Sequence, residues 1–238
     1  FQKEKGIALK FVLNHVNHAK KGQCPICGSQ KTGYIFSRWD IDYFFCDDCC
    51  SIFVPVEETV IKEYLNIEEM KELRLSEEYQ QQAEMRRGDI WDELVEWAQY
   101  RIYRYLGRNT GLDVIDYGNR YTGSVNRFRN SGLCDRYELR DSILPVTTEK
   151  VEKADVILYM NQLQHEMNPI LTLQNLRNDL KEDGILILNT RLGSGFDILT
   201  LKGSMDSVFP YEHIMLPSRK GLEMILDQAG FELLEITT

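Results

Sequence analysis

No stretch of this chain approaches the roughly 18 to 20 consecutive apolar residues that a membrane-spanning helix requires. The apolar block near its start, Phe11-Val12-Leu13, is also too short to form the core of a secretory signal peptide. Neither a spanning helix nor a secretion signal is therefore indicated. The sequence predicts no membrane partner.

Positive charge is in short supply, because 28 Lys and Arg stand against 37 Asp and Glu, for a formal net charge of −9. A polyanion is repelled by such a balance unless a local basic patch overrides it. The only notable basic run, between Lys3 and Lys21, is explained by the solvated face of a helix. We therefore expect no nucleic-acid partner, and a zinc-dependent nucleic-acid binder is the least favoured class of function.

Cysteine is almost absent outside one short segment, since five of the six cysteines lie within residues 24–50 and Cys134 stands alone. A secreted disulfide scaffold would spread its cysteines through a short chain. A cluster of CxxC pairs is more typical of metal binding in a reducing compartment. This pattern predicts a cytoplasmic protein with a metal site.

The cluster consists of two CxxC pairs, Cys24 with Cys27 and Cys46 with Cys49, at the separation that zinc ribbons use. Structural Zn²⁺ prefers a closed tetrahedron of thiolates, and each pair supplies two sulfurs from one tight turn. We therefore predict a structural zinc ion on these four cysteines, with Cys50 as a spectator. Two alternatives are that Cys50 replaces Cys49 and that the cysteines are buried or redox-active without metal.

After residue 111 the chain alternates between strand-like and helical patterns. The strand-like runs are residues 113–117, 137–141, 154–159, 184–189 and 231–236. Alternation of this kind predicts an α/β fold, a mostly parallel sheet with helices on both faces. The predicted organisation is an N-terminal helix and zinc ribbon over residues 1–60, a helical linker over 61–88, and an α/β domain over 89–238, with truncation at its C-terminal end left open.

The first of these strands ends in a glycine-containing turn, from Gly118 to Gly123, and a helical pattern follows. This is the layout of a nucleotide-binding turn, because glycine lets the backbone approach a ligand at a helix N-terminus. Such turns are also common in proteins where they bind nothing. The turn alone therefore leaves both interpretations open.

Three further segments, residues 155–169 (DVILYMNQLQHEMNP), 180–187 (LKEDGILI) and 228–234 (QAGFELL), resemble conserved segments of class I S-adenosylmethionine (SAM) methyltransferases in order and spacing. The resemblance covers residues 90–238. It implies a Rossmann-like sheet with SAM lying across the carboxyl ends of the first strands. By the same resemblance, Asp116, Gly118 and Gly123 would line the cofactor.

Two more cofactor residues follow from this resemblance. An acidic residue at the end of the second strand takes the ribose hydroxyls in the family, and Asp141 or Glu138 would do so here. Asn161, at the end of the next strand, would face the methyl group or the acceptor.

A narrower resemblance links the chain to sugar C-methyltransferases, which begin with a two-CxxC zinc domain and carry a YHEHxxYFS segment. Residues 209–218 (FPYEHIMLPS) match it in part. The resemblance implies that His213 acts as acid or base, with Tyr211 as an approximate match out of register. Imidazole suits this role because its unperturbed pKa lies near neutrality. The acceptor would be a sugar or sugar nucleotide, a small molecule, whereas the alternative for His213 is capping or packing.

Two departures from the family pattern favour another reading. The family turn reads Asp/Glu-x-Gly-x-Gly-x-Gly, but here the middle glycine is missing and one residue is inserted. The stretch from Asp116 to Asp155 is also too short for the strand, helix and strand that the family places there. The alternative is therefore a catalytically inactive methyltransferase-like scaffold or binding module of a larger glycan-assembly protein.

Overall fold

The structure is a computed structural model that describes residues 2–15, 22–117, 123–140, 152–205 and 208–237. The helices are α1 (Gln2–Asn14), α2 (Glu58–Leu65), α3 (Glu68–Leu75), α4 (Glu77–Leu106), α5 (Gly123–Arg129), α6 (Pro169–Asp179), α7 (Phe196–Leu201) and α8 (Arg219–Gln228). The strands are β1 (Thr32–Arg38), β2 (Ile41–Cys46), β3 (Ile52–Phe53), β4 (Leu112–Asp116), β5 (Cys134–Leu139), β6 (Ala154–Met160), β7 (Leu180–Asn189) and β8 (Met215–Leu216). Short 3₁₀ turns cover Leu163–His165 and Lys202–Ser204.

The chain divides into two compact units that interleave along the sequence. The first contains Phe1–Met70, Leu163–Gln174 and Thr190–Thr238, and the second contains Lys71–Gln162 and Asn175–Asn189. The domain ranges predicted from the sequence, 1–60, 61–88 and 89–238, stay a prediction. Each unit has its own sheet.

The second unit is built on a parallel four-stranded sheet in the order β5-β4-β6-β7. Every residue of β6 is buried, as expected for a strand covered on both faces. Residues of α4, among them Ala98 and Ile102, pack into the same core as Leu112 and Val156 of the sheet. The predicted Rossmann-like α/β fold is confirmed.

The order of these strands reverses at β4. From β4 the chain continues to β5 on one side of the sheet, and β6 then pairs with the other side of β4. Open α/β sheets bind ligands outside the carboxyl ends of their strands at such a switch point. In this sheet the switch point is the carboxyl edge shared by β4 and β6.

The first unit contains an antiparallel sheet in the order β1-β2-β3-β8. The tight turn between β1 and β2 is made by Trp39 and Asp40, both with left-handed backbone angles (φ 50° and 63°). Such a two-residue turn matches the twist of a hairpin. The strands β1, β2 and β3 follow the first cysteine pair and flank the second in the sequence.

One segment differs from the sequence prediction. Residues 231–237 form no strand, so the predicted strand at 231–236 is wrong: a strand needs a hydrogen-bonded neighbour, and none of the described strands pairs with it. The polar stretch at 77–84, part of the predicted helical linker, is helical. Its helix, α4, begins after Ser76, whose hydroxyl oxygen accepts the Tyr79 N–H at 3.3 Å, so a local N-cap outweighs the lack of apolar residues. No described helix is both long and apolar enough to cross a membrane.

Candidate functional site

The four predicted zinc ligands come together in the first unit. The Sγ atoms of Cys24, Cys27, Cys46 and Cys49 all lie within 4.8 Å of one another. The Cys24–Cys49 and Cys27–Cys46 sulfur pairs are separated by 3.6 Å and 3.5 Å. Zn–S bonds of about 2.3 Å in a tetrahedron place the sulfurs about 3.8 Å apart, so one zinc ion fits this group.

The two cysteine turns have the same backbone hydrogen bonds. The Gly28 N–H donates to Cys24 O at 2.9 Å, and the Cys50 N–H donates to Cys46 O at 2.8 Å. Gly28 and Cys50 both have left-handed backbone angles, with φ of 71° and 59°. Cys50 therefore occupies the turn position that Gly28 occupies in the first pair, exposed and outside the four-sulfur group.

The protonation of the sulfurs also suits a metal. A hydrogen bond from the Cys24 thiol lowers the pKa of Cys49 to about 5, against the effect of burial and with help from Ser51. The same hydrogen bond, together with burial, raises the pKa of Cys24. A thiolate next to thiols that keep their protons is a donor set that a dication completes by displacing those protons. The four cysteines would hold zinc in a closed tetrahedron, with no position left for a substrate.

In the second unit, the carboxyl edge of the sheet carries part of the predicted cofactor site. Asp116 is the last residue of β4, and its side chain is buried. Its Oδ2 accepts a hydrogen bond from the Tyr137 hydroxyl at 2.5 Å. Gly123 begins α5, whereas Gly118 and Asp141 lie outside the described residues.

Asn161 lies at the same edge, directly after β6. It is exposed, with a left-handed φ of 53°, and its N–H donates to the last carbonyl of β7, Asn189 O, at 2.8 Å. Asn adopts this conformation more readily than most residues. Because β4 and β6 are neighbours, Asp116 and Asn161 stand at the switch point of the sheet.

A polar cluster that sequence reasoning missed adjoins this edge. Tyr117, directly after β4, donates its hydroxyl hydrogen bond to the Asp179 carboxylate. Arg140, directly after β5, contacts the Tyr117 oxygen at 2.9 Å and Asp179 Oδ2 at 3.0 Å. Burial and the Asp179 carboxylate raise the pKa of Tyr117, so the hydroxyl stays neutral. The cluster fixes the residues that directly follow β4 and β5, but its members come from three distant segments without a shared motif.

The segment with the predicted acid or base lies in the first unit. His213 is half-buried, and its Nδ1 accepts the Phe209 N–H at 2.9 Å. Tyr211 is buried, with a left-handed φ of 66°, and its hydroxyl donates to His15 O at 2.6 Å. The structure therefore ties the Tyr211 hydroxyl to a backbone carbonyl, whereas the catalytic roles predicted for both residues stay predictions.

A second histidine, His165, stands beside His213, with ring centroids 5.3 Å apart. The His165 Nδ1–H donates to Glu212 O at 2.5 Å, since a carbonyl only accepts. The amide of Gln164 approaches the other ring nitrogen at 3.3 Å, and its oxygen accepts from the Thr190 hydroxyl. Sequence reasoning used His165 only as part of the 155–169 segment, although a second histidine there was a signal for a paired site.

This chain is similar over part of its length to known methyltransferases. A tRNA U34 carboxymethyltransferase of Aeromonas hydrophila subsp. hydrophila is 28% identical over 141 residues, 56% of this chain and 41% of that protein. The protein with the same description from Photobacterium profundum is 26% identical over 136 residues, with the same coverage. The chain thus spans about two fifths of the length of these relatives. A crystal structure of coclaurine N-methyltransferase bound to N-methylheliamine and SAH is 19% identical, with a TM-score of 0.35, and covers 56% of this chain and 49% of that one.

The family assignment rests on a sequence model described as a methyltransferase domain, which matches residues 72–236. The match starts beyond the four clustered cysteines and includes the parallel sheet, Asp116, Asn161 and both histidines. It covers well over half of the chain. The chain belongs to the methyltransferase-domain family of class I SAM-dependent methyltransferases.

Proposed function

We propose that this protein binds SAM at the carboxyl edge of its parallel sheet and transfers the methyl group to a small acceptor, a sugar or sugar nucleotide. The observation that carries the proposal is the placement of Asp116 and Asn161 at the switch point between β4 and β6. This is where open α/β sheets bind nucleotide-like ligands. The family membership supports the same position.

Asp116 is prepared for ligand binding by its surroundings. The hydrogen bond from Tyr137 fixes one carboxylate oxygen, and nearly complete burial strengthens that bond. When bound, SAM supplies an electrophilic methyl group on a sulfonium. The contribution of Asp116, Asn161 and the glycine turn is to hold the cofactor in one orientation, because methyl transfer gains chiefly from proximity and alignment.

The two histidines supply complementary proton chemistry. Because His213 Nδ1 accepts an N–H, a neutral His213 ring carries its proton on Nε2 and donates there. Because His165 Nδ1 donates, its Nε2 is an acceptor, and the Gln164 amide nitrogen donates to it at 3.3 Å. An acceptor hydroxyl or C–H group must lose a proton as the methyl group arrives. We assign the proton-accepting role to His165, whose Nε2 would exchange the Gln164 hydrogen bond for the acceptor's proton, and a hydrogen-bonding role toward the acceptor to His213.

The sugar acceptor is supported by the 209–218 segment and by the cysteine cluster ahead of the methyltransferase domain. A tRNA acceptor, which the names of the relatives would suggest, has weaker support. A chain with a formal net charge of −9 repels a polyanion unless a basic patch compensates.

A second candidate function, a scaffold that has lost its cofactor, is favoured by one observation. The parallel sheet has only β5 on the far side of β4 among the described residues, where the family places two strands. The glycine turn also lacks its middle glycine. Part of the adenosine pocket would then be missing.

Calorimetric titration of the zinc-loaded protein with SAM and with S-adenosylhomocysteine distinguishes the methyltransferase from the scaffold. We expect micromolar binding, and a ligand at a hundred times its dissociation constant should stabilise the fold by about 2.7 kcal/mol. Asp116→Asn should weaken binding at least about tenfold through loss of a charge-assisted hydrogen bond. The matched control is Asp135→Asn, an exposed carboxylate on β5, which should bind as the parent does. No heat and no stabilisation at millimolar ligand would establish the scaffold instead.

A further inference from the structure

The second cysteine turn contacts the start of α8 through buried hydrogen bonds. Ser218, the N-cap of α8, donates from its hydroxyl to Cys49 O at 2.5 Å, and its own N–H donates to Ser51 Oγ at 2.9 Å. Its hydroxyl oxygen also accepts the Gly221 N–H at 2.9 Å. Ser218 and Ser51 are both buried, so water does not replace these bonds.

The first turn of α8 packs on both cysteine turns without space for a side chain. A Cβ on Gly221 would lie 2.2 Å from Ser51 Oγ and 3.2 Å from Ile26 Cγ2, and Ile26 belongs to the first CxxC pair. At the surface, Lys220 Nζ donates to Asp48 O at 2.6 Å. The start of α8 is therefore fitted to the backbone of the cysteine turns.

The chain between His213 and Ser218 also contacts the strand that follows the second cysteine turn, β3, and the residue after it. β8 pairs with β3, as Ile52 with Leu216 and Phe53 with Met215. The Val54 N–H donates to Ile214 O at 2.8 Å. Because β3 follows the second cysteine turn by only two residues, the position of that turn is transmitted to the whole 209–218 segment.

We propose that metal binding at the four cysteines sets the position of the 209–218 segment, with Ser218 as the positioning residue that couples the two. Metal binding fixes the Cys49 and Asp48 carbonyls, which are the acceptors for the start of α8. The zinc site thereby places His213, rather than only holding a separate small domain together. The coupling concerns the order of the segment and does not depend on SAM binding.

Coupling of this kind is reciprocal, so weakening the Ser218 contact must also weaken the binding of the metal ion. The test is Ser218→Ala in the full zinc-loaded chain, with two readouts. Hydrogen–deuterium exchange reports the opening equilibrium of the amides of residues 213–216, and equilibrium competition with a colorimetric chelator reports the Zn²⁺ dissociation constant. We expect both quantities to rise by about fivefold or more, the factor that corresponds to losing one buried hydrogen bond. Ser218→Thr, which keeps the hydroxyl, should restore both.

The matched control is Arg219→Ala, one residue further on, whose side chain pairs with Glu223 on the surface and has no hydrogen bond to the ribbon among the contacts described. It should leave the opening equilibrium and the Zn²⁺ dissociation constant at the parent level. If Ser218→Ala leaves either quantity at the parent level, the proposal is overturned, because reciprocity requires both to change.

If Ser218→Ala does not fold, the parent protein tests the proposal: hydrogen–deuterium exchange is measured before and after a chelator removes the zinc. Loss of protection at residues 213–216, with β6 still protected, supports the proposal. Retained protection at residues 213–216 overturns it. Loss of protection both at residues 213–216 and in β6 also overturns it. The metal would then stabilise the whole fold and not this segment.

Discussion

The rings of His165 and His213 lie 5.3 Å apart between centroids, and backbone hydrogen bonds give their Nδ1 atoms opposite roles. His165 Nδ1 donates to a carbonyl, whereas His213 Nδ1 accepts an amide hydrogen. One ring is thereby oriented to take a proton at Nε2 and the other to give one. Such a pair can accept a proton on one ring and donate a hydrogen bond from the other at the same place.

Substitution of either histidine by Asn should separate its proton chemistry from its packing. Asn offers an amide oxygen or nitrogen at the place of Nδ1, so each backbone hydrogen bond survives while Nε2 is lost. We expect kcat to fall by about 10²- to 10⁴-fold for His165→Asn, the usual contribution of a general base, with SAM affinity unchanged. Single-turnover methyl transfer alongside calorimetric SAM titration measures the two quantities. Parent-like turnover in His165→Asn would remove the assignment of the base.

Tyr211→Phe should affect stability and leave chemistry largely intact. The hydroxyl donates to His15 O from a buried position, so its removal leaves that carbonyl short of a donor. We expect a loss of about 1 kcal/mol in the free energy of unfolding, measured by urea titration. A kcat reduced by two orders of magnitude at unchanged stability would instead show Tyr211 to be the acid or base.

Cys50→Gly should leave zinc binding intact and stabilise the chain. Cys50 holds a left-handed conformation at the place of Gly28, and a residue with a Cβ pays roughly 1 kcal/mol there. We expect one zinc per chain and a higher melting temperature. Cys49→Ser, by contrast, removes a sulfur of the four-atom group and should release the metal. Zinc loss from Cys50→Gly would show that Cys50 is the fourth ligand.

The start of the parallel sheet should lose stability in acid. Asp155 is buried, which raises its pKa, but the Asp113 N–H and Lys181 outweigh this and hold the pKa below the ordinary value. Lys181 Nζ lies 2.7 Å from Asp113 and 2.9 Å from Asp155. Because the folded pKa is depressed, the carboxylate stabilises the fold above its unfolded pKa of about 4, and this contribution is lost as the pH falls through the folded pKa.

Asp155→Asn tests this directly. We expect it to cost about 1.5 to 3 kcal/mol at pH 7, the range for hydrogen bonds to charged groups, and the difference from the parent should shrink below about pH 4. Urea titrations of both proteins at pH 7 and below about pH 4 measure this difference in the free energy of unfolding. The control, Glu223→Gln, breaks an exposed pair with Arg219 and should change stability by less than about 1 kcal/mol. A difference that stays constant with pH would contradict the charge explanation.

Local patterns in the sequence were sufficient for much of this molecule. The spacing of the cysteines identifies the four-sulfur group because each CxxC pair is made by one tight turn. The apolar run after Gly184 identifies β7, in which Ile185 and Ile187 are buried and Leu186 and Leu188 are half-buried. Likewise, Ser218 marks the start of α8 by its capping hydroxyl.

Features that depend on tertiary contacts could not be predicted from the sequence. The Tyr117–Arg140–Asp179 cluster joins the ends of β4, β5 and α6, and no sequence period relates these positions. The strand predicted at 231–236 has the right residue pattern, but no strand among the described residues pairs with it. The orientation of His165 depends on a carbonyl 47 residues away, that of Glu212.

The pairing of β3 with β8 has a consequence for the order in which the molecule assembles. Ser51 and Ser218, which flank this pairing, are 167 residues apart in the chain. During synthesis the β3 edge of this sheet stays unpaired until β8 has also left the ribosome. Contacts of such long range fold slowly and leave an exposed strand edge in the meantime. Expression of the ribbon alone should therefore give a self-associating fragment, since its closing strand would have to come from elsewhere.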